Sequence, residues 1–405
     1  MMACLGACWK GGLLPPPSLN AAELRAMAEK ATGRAADPER EFFDSQLGVL
    51  LPALAQEAAL NQFGRLVAQG TLLKIMKERL WFTAIMAAEP AIDAITLAPP
   101  IVIVGPMRSG STRLQRLLAC DSGFTALRLY EAACPVPSPA ARAAKLRGRR
   151  DPRIRQTAVA LRMLRSINPA IQHIHPTGAL EVDEELGLLE QSLSGALIEA
   201  QRRVPSFARH CEAVDQTPAY QRLHRLLKLR TWFAGIDPAL PLVLKTPQHM
   251  QDLGALDAIF PDARLIFLHR DPVAVVASGA SLAWNQMVIQ SDMVDPNWVG
   301  REWLHKTEHR LRVTAAVRQR IFPGRQLDIG YAEMDRDWRA AIARVYAFLD
   351  RELTPSTLAA MESYLDRARR VHGYARHRYR LEAFGLGAAE VMERLGPLDD
   401  RALAA

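Results

Sequence analysis

The segment Gly105-Pro106-Met107-Arg108-Ser109-Gly110-Ser111-Thr112 gathers the residue types that hold a tetrahedral oxyanion. Its glycines let the backbone curl so that several N–H groups point inward, and a helix beginning at its end adds partial positive charge. The hydroxyls of Ser109, Ser111 and Thr112 supply further donors. The spacing follows the start of GxxxxGK[ST], but Ser111 stands where that pattern has lysine. A nucleoside triphosphatase needs the lysine on its β- and γ-phosphates and an aspartate that holds magnesium at another strand end. Neither Leu242–Leu244 nor Leu265–Leu268 ends in such an aspartate. The loop reads as a site for a phosphate-like group, with a P-loop kinase as the lesser alternative and a plain tight turn as the bland one.

A second anion-binding pair lies downstream. Arg270, in LIFLHRDP, offers a forked donor to phosphate oxygens, and Ser278 follows eight residues later on a helix that Asp271-Pro272 starts. Alone this is weak, because an arginine at a strand end often pairs only with a carboxylate. Lys245, at the end of LVLK, supplies a second positive charge beside the loop if its strand lies in the same parallel sheet; the alternative is a structural ion pair.

These residues need elements to hold them. Ile101–Val104 is a continuous β-branched run, as expected for a strand buried on both faces, and the RLQRLLAC segment after the loop reads as a helix. The same strand–turn–helix order recurs at Leu242–Leu244 and Leu265–Leu268, and a fourth strand is predicted over Leu327–Tyr331 before a helix around Trp338–Leu349. The fold class predicted is α/β: a P-loop-like parallel sheet flanked by helices. The first hundred residues read as helical. Ser18 or Asn20 caps one helix, Asp37-Pro38 starts a second, and Phe63–Met86 carries apolar residues at helical steps. Ala98-Pro99-Pro100 marks the boundary between a helical N-terminal region, 1–97, and the α/β domain, 98–405.

Composition narrows the classes. Of 405 residues, 49% are hydrophobic and 23% charged, enough for a real core, so disorder is not the default. A net charge of +8 suits an anionic ligand but is mild for nucleic acid. Two basic runs, Arg142–Arg155 and Arg367–Arg380, are read as solvated faces or a mobile flap rather than as surfaces for nucleic acid or anionic membranes. Five cysteines without a CxxC, no secretory leader and no apolar run of about 18 residues point to a cytoplasmic protein without a transmembrane segment. His173 and His175 form an HxH pair without partners at metal-site spacing, so no metal is expected.

The motif series from about Pro99 to Leu386 resembles the sulfotransferases that use 3′-phosphoadenosine 5′-phosphosulfate (PAPS), in their bacterial branch, near the protein-tyrosine sulfotransferase-like enzymes. PMRSGST resembles the family's 5′-phosphosulfate loop, with Arg108 at the basic position, and Arg270 with Ser278 resembles its 3′-phosphate pair. LVLKTPQH, the acidic segment His175-Pro176 with Glu181, Asp183 and Glu184, and the ending His372-Gly373-Tyr374 through Phe384-Gly385-Leu386 resemble further family segments. In that ending, Ala375 and Arg376 displace a second histidine.

The resemblance implies that PAPS is the co-substrate, bound by Arg108, Ser109, Gly110, Ser111, Thr112, Arg270, Ser278, Tyr331 and His372, with Arg370 beside the last. It implies Arg108 and Lys245 as catalytic cations and Glu131, in LRLYEAA, as general base. His175, Glu181 and Glu184 compete for that role, and His249 is a weaker substitute. The acceptor is left as a small molecule, lipid or glycan, met by residues 20–97, 130–235 and 285–310 with Trp232, Phe233, Trp284 and Trp303. A PAPS-binding protein without catalysis is the alternative function, and the oligomeric state is open.

Overall fold

A computed structural model of the chain describes residues 16–174, 176–321, 323–372 and 380–403. Its centre is a five-stranded, all-parallel sheet in the order β2-β3-β1-β4-β5. The strands are β1 (Ile101–Val104), β2 (Thr125–Ala126), β3 (Leu242–Lys245), β4 (Arg264–His269) and β5 (Gln326–Gly330). Pairing is in register with Ile101 opposite Val243 on one side and opposite Arg264 on the other.

Side chains alternate across a strand, so each strand feeds two cores. Val102, Val104, Leu244, Leu265 and Phe267 enter one apolar cluster with the helix Thr217–Ala234. Ile101, Ile103, Val243, Ile266 and Leu268 enter the other, against the helices Ser111–Leu118 and Trp338–Phe348. With both faces covered, the central strands β1, β3 and β4 need to be apolar through their middles, which is why they read as β-branched and leucine runs.

Three N-terminal helices are α1 (Ala21–Thr32), α2 (Arg40–Gln56) and α3 (Gln62–Ala88). Asn20 caps α1, its Oδ1 accepting from the amides of Ala22 at 2.9 Å and Glu23 at 3.1 Å. The second helix starts at Arg40 rather than at Asp37-Pro38. Asp37 is taken instead by Arg79, whose Nε lies 2.6 Å from its carboxylate, so its side chain cannot cap. This region shares its core with the rest of the chain: Leu24, Leu47 and Leu72 pack with Leu193, Ile198 and Phe207.

The remaining elements that build the site are α4 (Ser111–Leu118), α5 (Leu129–Ala133), α6 (Thr217–Ala234), α7 (Pro272–Gln290) and α8 (Pro296–Val317). Among the described residues α7 is long and apolar enough to cross a membrane by length and composition. Here it is a core helix, with Val276, Ala280 and Ala283 fully buried.

Candidate active site

The carboxyl ends of β1, β3 and β4 lie side by side, and the chain order departs in both directions from β1. Such a switch point opens a crevice where parallel α/β sheets take their ligands. The loop 105–110 leaves β1 there, and α4 starts at Ser111. Two of its residues are left-handed, Arg108 at φ 69° and Gly110 at φ 88°. Glycine adopts this freely; arginine does so only where its surroundings hold it.

Those surroundings are the second anion motif. A guanidinium nitrogen of Arg270 donates to the Arg108 carbonyl. Arg108 in turn donates from Nε to the Ser278 hydroxyl at 2.9 Å and from Nη1 to the Ile174 carbonyl at 2.7 Å. The Tyr331 ring lies 4.2 Å under the Arg270 guanidinium. A methyl group on Gly110 would meet that ring at 3.2 Å, so loop and ring are already in close contact. Tyr331 is the first residue of the helix after β5 rather than the last of the strand.

Lys245, at the end of β3, is 2% exposed. Its Nζ donates to Thr112 Oγ1 at 3.0 Å and pairs with Glu184. The acidic segment is pinned to the loop's own helix: Arg116 donates to the Val182 carbonyl at 3.0 Å and Gln115 to that of Asp183 at 3.3 Å. Glu185, next to Glu184, points inward. Its Oε2 accepts from the Lys245 amide at 3.0 Å, and its Oε1 lies 2.6 Å from His249 Nε2. His249 Nδ1 meets the Tyr220 hydroxyl at 2.7 Å. Glu185, His249 and Tyr220 are wholly buried. Burial pushes the Tyr220 phenol well above its ordinary range, so the hydroxyl keeps its proton and donates. Successive glutamates thus divide the work, one anchoring the strand end and the other facing the loop.

Glu131 is placed differently. Its Oε2 accepts from the Arg128 amide at 2.9 Å, capping its own helix α5, and Arg230 from α6 donates to both oxygens at 3.1 and 3.3 Å. It is 5% exposed. Glu181 is half-buried near Tyr364, whose phenol is pushed up by burial and, to a smaller extent, by the Glu181 charge. His249 is enclosed in the buried chain. His175 lies outside the described residues, as do 373–379, and only the backbone is described at His372.

The loop fits an oxyanion. The amides of Ser111 and Thr112, at the start of α4, have no partner within the helix, and the buried Ser109 hydroxyl has no hydrogen-bond partner. Lys245 stands at Thr112 on the loop's helix, while Arg270 meets the loop at the Arg108 carbonyl and the Arg108 side chain reaches Ser278. Among the described residues no group of three His, Cys, Asp or Glu side chains could hold a metal. Of the aromatics expected near an acceptor, Trp284 and Trp303 pack in one cluster with Met107 of the loop. Trp232 and Phe233 instead lie at Lys145.

Fold and site together define an α/β protein in which the glycine-rich loop after β1 and the Arg270–Ser278 segment after β4 interlock. Residues 99–355 match the model of the sulfotransferase family, and the chain belongs to that family. Sulfotransferase STF1 from Mycobacterium tuberculosis H37Rv is similar in structure, with a TM-score of 0.80 and 28% identity over 95% of this chain and 100% of that one. Sulfotransferase STF9 from Mycobacterium avium has the same fold, with a TM-score of 0.80 and 24% identity over 95% of this chain and 96% of that one. A search of curated proteins gives no sequence match.

The buried Glu185–His249–Tyr220 chain was not legible in the sequence. Its residues lie far apart along the chain, and no local spacing links them.

Proposed function

We propose that the protein transfers a sulfuryl group from PAPS to an acceptor hydroxyl or amine and releases 3′-phosphoadenosine 5′-phosphate (PAP). One observation carries the reading: two oxyanion motifs 162 residues apart in sequence interlock at Arg108 and Arg270. The donor supplies an activated sulfuryl group when bound. The amides of 110–112 and the hydroxyls of Ser109, Ser111 and Thr112 hold its 5′ end. Arg270, Ser278 and Tyr331 serve its 3′-phosphate and neighbouring groups, with His372 proposed alongside them.

Arg108 and Lys245 meet the negative charge that grows on the transferring and leaving oxygens. They are preorganised at the loop, so the charge stabilisation needs no metal in this reading. We assign the acceptor's proton to Glu184, which Lys245 holds beside Thr112. Glu131 is the weaker choice because both its oxygens are committed to Arg230 and a helix cap. The acceptor is a small molecule, lipid or glycan entering by the Met107–Trp284 side, and a cytoplasmic setting suits the free thiols of Cys120, Cys134 and Cys211.

The test is release of PAP and labelled sulfated product from PAPS in an acceptor screen, for the wild type and Lys245→Met. Transfer that Lys245→Met abolishes supports the reading. Tight PAP binding with no transfer to any acceptor class would reduce the protein to a nucleotide binder.

A further inference from the structure

The first basic run and the helix after it form a surface that the sulfuryl-transfer reading leaves without a task. From Pro139 to Leu180 the only acidic residue is Asp151, and it is taken by Arg153 at 2.8 Å. Arg147, Arg149, Arg150, Arg155 and Arg162 are all exposed. Within this cationic field the apolar side chains also face outward. Leu146, the last residue of the helix Pro139–Leu146, is 89% exposed, and Val159, Met163 and Ile167 are each about half exposed.

The last three recur at four-residue steps along the helix Pro152–Ile167 and so make one stripe. The inward face of that helix is a different set, with Arg153 and Thr157 buried. A charged surface helix with an outward aliphatic stripe flanked by arginines is the pattern that lies in a lipid headgroup layer. Single-stranded nucleic acid would call for aromatic side chains to stack on bases, and Arg142–Ile167 contains none.

The second basic run reaches the same edge. Arg165, near the end of the stripe helix, donates to the Thr177 carbonyl. Arg116 touches the Thr177 hydroxyl at 3.5 Å and stands beside Tyr364. Arg367 lies over that tyrosine ring, with Arg369 and Arg370 exposed just beyond. Leu180, three residues after Thr177, is a further exposed apolar side chain at 43%.

We propose that this face, built from the Leu146–Arg150 turn, the outer side of the helix 152–167 and the Arg367–Arg370 edge, docks on an anionic membrane surface. Arginines engage lipid phosphates while Leu146 and the Val159–Met163–Ile167 stripe enter the acyl boundary. The inference is independent of the sulfuryl-transfer reading, and its test needs no donor or acceptor.

The test is sedimentation of the full chain with vesicles of phosphatidylcholine alone and with vesicles that also contain phosphatidylglycerol. Two variants, each checked for unchanged unfolding, separate the two parts of the surface. Arg149→Gln with Arg150→Gln removes charge and is expected to weaken binding to the anionic vesicles about 25-fold, from roughly fivefold per arginine. Leu146→Asn with Met163→Asn keeps the charge and is expected to weaken it roughly tenfold or more through lost apolar burial. Binding to anionic vesicles only, weakened in both variants, supports the proposal. No vesicle binding overturns it. Binding that Leu146→Asn with Met163→Asn leaves intact, or that duplex DNA displaces completely, also overturns it and identifies a general polyanion surface.

Discussion

Gly110→Ala probes the loop at its tightest point. The residue sits at φ 88°, a left-handed conformation that costs an L-residue about 1–2 kcal/mol. The added methyl group also comes to 3.2 Å from the Tyr331 ring, which must give by a few tenths of an ångström. That ring supports Arg270, and Arg270 holds the Arg108 carbonyl, so its displacement passes into both oxyanion motifs. The expected result is a stability loss of about 1–3 kcal/mol and roughly tenfold weaker PAP binding, the weight of one loosened charge-assisted hydrogen bond. Denaturant unfolding and calorimetric titration read the two effects. Repeating the substitution in a Tyr331→Leu background separates them: the backbone cost stays, while the contact term, on the order of 1 kcal/mol, disappears. Wild-type stability and affinity in Gly110→Ala would show that the loop does not depend on its contact with Tyr331.

Other consequences follow from the same contacts. Glu184→Gln is expected to lower kcat about 100-fold or more with PAP affinity changed less than about threefold. Glu131→Gln should leave kcat near wild type and lower stability, and the reverse pattern in steady-state kinetics would return the base to Glu131. Glu185→Gln places an amide N–H against a donor in the buried Lys245–Glu185–His249 chain. A loss of about 2–4 kcal/mol is expected in denaturant unfolding. Burial raises the Asp252 carboxyl to about 7 against the opposing hydrogen bond from Gln248. A raised carboxyl stabilises the fold while protonated, and that contribution is lost as pH rises through about 7. Asp252→Asn should therefore match the wild type near pH 4 and exceed it by on the order of 2 kcal/mol at pH 8; parallel pH–stability curves would contradict this.

The central strands β1, β3 and β4 were legible because burial on both faces forces nearly unbroken apolar runs, and the edge strand β5, QLDIG with Ile329 alone buried, was legible from its place before the helix at Trp338. The edge strand β2 was not: two residues, Thr125 and Ala126, leave no periodicity to read. Asp37-Pro38 carries a helix-start signal, and a long-range ion pair to Arg79 overrides it. The oxyanion loop was legible because its chemistry is local, with glycines and hydroxyls crowded into one turn. The carboxylates were harder. The sequence favoured Glu131 over Glu184, and only their tertiary partners reverse the preference: Arg230, from helix α6, for one and Lys245, from strand β3, for the other. The outward stripe of the helix 152–167 was hidden for a related reason, since periodicity shows an apolar face without saying whether anything covers it.

Calorimetric titration with PAP, for the wild type and for Ser111→Ala and Arg270→Ala, tests the central claim most directly. Micromolar binding that both variants weaken is expected, because the loop and the Arg270 motif form one interlocked site. A folded wild type that does not bind PAP, or binding untouched by both substitutions, would contradict it.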